Sequence, residues 1–123
     1  MGKNKLFFKH LRKSKPSRSL QKQQLHDFEH RISMHLGNYL ILIEEGTPTQ
    51  VMQAKQHATS DLLKIGPDME KIAQEMGGKI PLFVHEFLDS IDTILHSANG
   101  FIDEAKIAHC FNSTQKLEKA IQD

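Results

Sequence analysis

Leu25, Phe28, Ile32, Leu36, Tyr39 and Ile43 follow one another at intervals of three or four residues, and this spacing constrains the fold more than any other feature of the chain. An α-helix turns once in about 3.6 residues, so these six side chains fall on one narrow stripe that something apolar must cover. No stretch of the 123 residues alternates apolar and polar side chains with the period of two expected of a half-buried strand. The expected fold is all-α: an antiparallel helical bundle of four to five helices with a basic N-terminal arm.

Glycine and proline punctuate the pattern. The first long helix is expected over residues 19–45 and is stopped by Gly46. Thr47-Pro48-Thr49-Gln50 then reads as a helix start: Thr47 can cap, Pro48 suits the first helical position, and Gln50 completes a capping box. Val51, Ala54, Ala58, Leu62 and Ile65 form the buried stripe of this second helix, which Gly66-Pro67 is expected to end because proline lacks the N–H that continues the ladder. A short helix over 67–76 would use Met69, Ile72, Ala73 and Met76, with Gly77-Gly78 as its stop. Pro81 opens a further helix to about residue 98, burying Val84, Phe87, Leu88, Ile91, Ile94, Leu95 and Ala98. Asn99-Gly100 is a turn. The last helix, 101–121, centres on Ile102, Ala105, Ala108, Phe111, Leu117 and Ile121, and Asn112-Ser113-Thr114 is the point where it can break or kink.

Charge divides the chain into two unlike parts. Of 16 Lys and Arg residues, eight lie in residues 1–24 (Lys3, Lys5, Lys9, Arg12, Lys13, Lys15, Arg18 and Lys22), a segment without Asp or Glu. The remainder carries the other eight cations against all 15 acids, a net charge of −7, so the overall +1 hides a cationic arm on an acidic body. The expected organisation is an arm over residues 1–18, hinged near Pro16, and a bundle domain over 19–123. Wound as a helix, residues 4–13 would place Phe7, Phe8 and Leu11 on one side and Lys5, Lys9, Arg12 and Lys13 on the other, with Leu6 out of phase. Such a segment can lie on an anionic surface, where each cation near an acidic leaflet contributes about 1 kcal/mol. Lys3, Lys5, Phe7, Phe8, Lys9, Arg12, Lys13, Lys15 and Arg18 are therefore the expected anionic-surface contacts; the same cations could bind nucleic-acid phosphates.

Composition excludes several classes. One cysteine, Cys110, permits no intrachain disulfide and fits a reducing compartment. The longest uncharged run, residues 32–43, has 12 residues, too few to span a bilayer, which takes about 20. Leu6-Phe7-Phe8 is too short for the apolar core of a secretory signal. A cytoplasmic protein, with peripheral membrane contact through the arm, is the expectation.

Four other patterns bear on function. The segment EKIAQEMGGKIPLFVHEF, residues 70–87, resembles a helix-turn-helix motif in the spacing of Ile72-Ala73, Met76-Gly77, Phe83 and Phe87. That resemblance would make Pro81, Leu82, Val84, His85 and Glu86 the reading positions, although such helices usually present Arg, Lys, Asn or Gln to DNA. His85, Asp89, Asp92 and His96 repeat at i, i+4, i+7 and i+11, so consecutive members could ligate a divalent metal, with His26 and His30 as donors from a second helix. All four cannot reach one ion, since eleven residues of helix span about 16 Å. His57 is an exposed histidine without the Lys and Gly that follow the phosphorylated histidine of phosphotransfer bundles.

Finally, Met34, Ile41 and Leu42 fall off the main stripe of the first helix and are candidate partner contacts. No glycine-rich phosphate loop and no Gly-x-Ser-x-Gly elbow occurs, and His109 and Cys110, as helical neighbours, point about 100° apart. The expectation is a non-enzymatic helical adaptor or regulatory protein with a protein partner, no cofactor and no small-molecule substrate. The alternative is a small nucleic-acid-binding regulator using the arm and residues 70–87.

Overall fold

A computed structural model describes residues 17–97 and 102–123. Most of the arm, including Lys3, Lys5, Phe7, Phe8, Lys9, Arg12, Lys13 and Lys15, lies outside the described residues. So do Ala98 and the Asn99-Gly100 turn.

Four helices make up the described residues, with no strand among them: α1 (Arg18–Glu45), α2 (Pro48–Met76), α3 (Ile80–Leu95) and α4 (Glu104–Gln122). Ser17 caps α1 by accepting from the Leu20 N–H at 3.2 Å. At Thr47 the capping box forms as its sequence implies: the Gln50 N–H donates to Thr47 Oγ1 at 3.2 Å and the Thr47 N–H to Gln50 Oε1 at 2.9 Å. Gly77 and Gly78 turn the chain between α2 and α3 with φ of 73° and 61°, a region in which residues bearing a Cβ are strained. Asp103 caps α4 through the Ala105 N–H at 2.9 Å.

Consecutive helices run antiparallel. Arg18 meets Met76, Gln21 meets Glu75 and Arg31 meets Asp61, so partners on α2 fall in number as those on α1 rise. The same holds between α2 and α3, where Glu70 approaches His85 and Gly66 faces Leu88. α4 returns to pack on α3 and, more lightly, on α1, closing a four-helix bundle. Its core joins Leu25, Ile32, Leu36 and Tyr39 of α1, Ala58, Leu62, Ile65 and Met69 of α2, Val84, Phe87, Ile91 and Ile94 of α3, and Leu117 and Ile121 of α4.

Four expectations are corrected. α2 does not stop at Gly66-Pro67 but continues to Met76 with Pro67 inside it, so residues 48–76 are one helix. The buried positions Ala58, Leu62, Ile65, Met69 and Ala73 keep helical phase straight through the proline, and covering that unbroken stripe outweighs one lost hydrogen bond. In α4 the buried stripe is Cys110, Ser113, Leu117 and Ile121, while Ala105, Ala108 and Phe111 are exposed. Nor does Asn112-Ser113-Thr114 break α4: Thr114 Oγ1 donates to the Cys110 carbonyl at 2.8 Å, one turn back, which satisfies the hydroxyl within the helix. α3 ends at Leu95, a turn earlier than its apolar pattern suggests.

Candidate functional site

Two surfaces of the bundle bring chemistry-bearing residues together. The first is its cationic end. Arg18, the one expected arm contact among the described residues, lies beside the α2–α3 turn, where its Nη1 donates to the Met76 carbonyl at 3.3 Å. Lys79 from that turn and Lys116 and Lys119 from α4 join it around an open cavity of about 510 Å³, with Ile80 and Phe83 as apolar lining and Asp123 as the acid present. Among the described residues, Arg18, Lys79, Lys116 and Lys119 form no ion pair with a carboxylate. The part of the chain with net −7 thus contributes three cations, Lys79, Lys116 and Lys119, that gather around Arg18 where the arm joins the bundle.

The second surface is the seam between α1 and α4, the lighter of the contacts that close the bundle. A groove of about 300 Å³ runs along it, floored by Leu36 and Leu40 of α1 and Ile91 and Ile94 of α3, with Ile107 and Phe111 of α4 forming the far wall. Phe111 is 62% exposed. On α1, His30 lines the groove, and Met34, 63% exposed, follows it by one turn. Ile41, seven residues beyond Met34 on the same helical face, is 58% exposed. Gly37 lies between them, and a Cβ placed there would meet nothing within 4 Å, so the wall is low at this point. Met34 and Ile41 do not line the groove itself: they lie beyond His30, on the outward face of α1. Leu42 does not belong with Met34 and Ile41: it is half-buried against the core, because its position on α1 turns it away from that face.

One end of this groove is polar. Glu29 is 1% exposed, its Oε1 accepts from Ser33 Oγ at 3.0 Å, and its Oε2 is buried with no hydrogen-bond partner. Burial raises its pKa from the ordinary value of 4.5; the Ser33 hydroxyl and His26 pull it down and the Glu118 carboxyl across the seam pushes it up. Glu29 went unnoticed in the sequence, although a signal was present. Leu25, Glu29, Ile32 and Leu36 share one helical face, so the acid interrupts the core stripe itself. Cys110, also at this seam, is buried, and burial pushes its thiol pKa up despite the nearby Ser90 and Thr114 hydroxyls.

The proposed metal row is not drawn together. His85, Asp89, Asp92 and His96 stand along the exposed side of α3. His96 Nδ1 lies 3.1 Å from Asp92 Oδ1 and 2.8 Å from the Asp92 carbonyl, whereas His85 approaches Glu70 at 4.0 Å. His26 and His30 stack on each other on α1, ring centroids 6.3 Å apart. Among the described residues, no three His, Cys, Asp or Glu side chains are grouped closely enough to hold a metal ion.

Residues 70–87 form an antiparallel hairpin, with Gly66 still facing Leu88 beyond its ends. Val84, a reading position in the helix-turn-helix comparison, is 0% exposed, while Leu82 and His85 face outward. His57 is exposed on α2. Among the described residues, no helix is long and apolar enough to cross a membrane.

Compared with protein-family models, with curated proteins and with solved structures, the chain matches none.

Proposed function

We propose that this chain is a non-enzymatic helical interaction protein, an adaptor or regulatory subunit, which docks on an anionic surface through its N-terminal cations and offers its α1–α4 groove to a helix of a protein partner. The observation that carries the reading is the continuity of charge from the arm into the bundle. Eight cations without an acid in residues 1–24 lead into the cavity where Arg18 is joined by Lys79, Lys116 and Lys119. Those four side chains pair with no carboxylate among the described residues, so their charge is available to an outside anion. At about 1 kcal/mol per cation near an acidic leaflet, half of the eight charges of residues 1–24 would give reversible docking rather than permanent anchoring. The partner half of the reading is supported by the groove, whose α4 wall exposes Ile107 and Phe111, and by Met34 and Ile41, exposed on the outward face of α1.

Flotation of the full-length protein with vesicles of anionic lipid, of neutral lipid, and in competition with duplex DNA tests this. Binding to anionic vesicles that weakens with salt, and weakens further in Lys116→Glu/Lys119→Glu, is the expected result. Binding to a particular DNA sequence in preference to vesicles would replace it with the nucleic-acid reading, and binding to neither would remove the anionic-surface reading.

A further inference from the structure

The groove has an apolar length and an acidic end, and this polarity specifies its occupant more narrowly than exposed hydrophobic surface does. From Glu29 to Leu40 on α1, and from Ile107 to Glu118 on α4, it spans eleven residues, about 16 Å or three helical turns. A short helix laid along it would cover Leu40, Ile107 and Phe111 and would bring its end to Glu29. There Oε2 is shut away from water without a donor, an arrangement that buried polar groups rarely keep. What reaches this atom must donate a hydrogen bond. It must also tolerate, or use, the second carboxyl at Glu118, which lines the same end. An anion fails on charge. A metal ion fails on donor number, since no group of three ligands is present among the described residues. An ammonium supplies three donors and one positive charge on a slender apolar stem that the floor of Leu36, Leu40 and Ile94 can receive.

We propose that the Glu29–Glu118 end of the groove binds a lysine side chain carried by the partner helix, its ammonium donating to Glu29 Oε2 and its stem lying on the apolar floor. This rests on the reading of the groove as the partner-binding face and adds what that partner must carry. Burial and the neighbouring Glu118 carboxyl both raise the pKa of Glu29, and a cation at Oε2 would oppose both. A bound ammonium therefore favours the ionised carboxylate, with which it makes a charge-assisted hydrogen bond.

The probe is n-hexylammonium, which carries the lysine head on an apolar stem two carbons longer, titrated into full-length protein at pH 7 and followed by NMR at the Leu40 and Ile107 methyls, the Phe111 ring and Thr114. Hexanol is the neutral control and hexanoate the anionic one. The expected result is shifts at these groove residues with hexylammonium at least about tenfold tighter than hexanol, a ratio matching one charge-assisted hydrogen bond. Hexanoate should bind no better than hexanol. Glu29→Gln keeps the size of the side chain and removes its charge; it should lose about tenfold of the hexylammonium affinity, Glu118→Gln should lose less, and Glu104→Gln at the far end of α4 should lose none. Thermal melts confirm that each variant is folded.

Equal affinity for hexanol and hexylammonium, or an undiminished affinity in Glu29→Gln, overturns the lysine inference and leaves the groove as an apolar docking face. Absence of any shift at Leu40, Ile107 and Phe111 with either probe overturns the inference and withdraws the groove from the proposed function as well.

Discussion

Arg31 grips Asp61 across the α1–α2 seam with two hydrogen bonds, from Nε at 2.9 Å and Nη2 at 3.2 Å, and His35 Nε2 lies 2.7 Å from the same carboxylate. The pair is unequal. Asp61 is almost wholly buried, whereas the Arg31 side chain is half exposed. Removing Arg31 therefore leaves Asp61 with His35, while removing Asp61 leaves both Arg31 and His35 without their acceptor. Asp61→Ala is expected to destabilise the fold by about 1–2 kcal/mol, the half-exposed arginine keeping the loss below that of a fully buried pair. Arg31→Ala should cost roughly half as much by the same reasoning. Urea denaturation midpoints of the two variants check the order; an equal or reversed loss would mean that His35 does not hold Asp61 once Arg31 is gone.

Gly66 and Pro67 sit inside α2 at the point where the sequence suggests a stop. A Cβ on Gly66 would meet both Leu88 Cδ atoms at 3.8 Å, an ordinary van der Waals contact, and its φ is not in the left-handed region. Gly66→Ala should therefore stabilise the protein by about 0.5–1 kcal/mol through helix propensity. Pro67→Ala restores a backbone N–H toward the Leu63 carbonyl. About 3 kcal/mol for an interior helical proline, less up to about 1 kcal/mol that proline gains by stiffening the unfolded chain, leaves a gain of about 2 kcal/mol. Thermal melts of the single variants test this, and a fall in stability for Pro67→Ala would show that the packing of α2 depends on the proline.

These positions also show how much of the fold is legible in the sequence. Thr47, Gly77-Gly78 and the apolar periodicity of α1 and α3 are local signals, and the helices begin and end close to where they point. The continuity of α2 is not local. It depends on α3 offering Leu88 to the face that Gly66 opens, so a rule about proline alone misplaces the boundary. α4 is misread for a related reason. Phe111 looks like core because it is large and apolar, but the core side of α4 is set by Cys110, Ser113 and Leu117 meeting α1 and α3. Polar partners are hidden in the same way: Glu29 and Asp61 both sit within apolar stripes, yet what they face is decided by a helix distant in sequence. The charge of the arm, in contrast, needs no fold to be read.

Cys110 should behave as a protected thiol. It is buried at the α1–α4 seam, its thiol pKa is raised first by burial and further by the charge of Glu29, and the hydroxyls of Ser90 and Thr114 only partly offset this. The nucleophilic thiolate is thus scarce and inaccessible in the folded state. Reaction with a disulfide reagent at pH 8 is expected to be slow in native protein and immediate in denaturant. Rapid labelling of the native protein, with no loss of helical content, would mean that the α1–α4 seam opens readily on its own.

The buried carboxyl of Glu29 makes a prediction about pH whose sign follows from its surroundings. Its folded-state pKa lies above the ordinary 4.5, chiefly because burial disfavours the charge; Glu118 adds repulsion, and Ser33 and His26 act against both. The native state therefore binds a proton over a range of pH where the unfolded chain has released it. Stability from this group is fully present below about pH 4.5 and is lost as pH rises through the folded-state pKa, with a slope of at most about 1.4 kcal/mol per pH unit. Glu29→Gln, always neutral, has no such loss. Subtracting the stability of wild type from that of Glu29→Gln across a pH series cancels the other ionisable groups to first order. The difference should climb from about pH 4.5 and then level off at a positive value, with the variant more stable near neutrality. Hexylammonium, in turn, should lower that plateau by stabilising the charged carboxylate of wild type alone. A flat difference curve would show that Glu29 is ionised at no cost, and that its Oε2 already has a donor in solution.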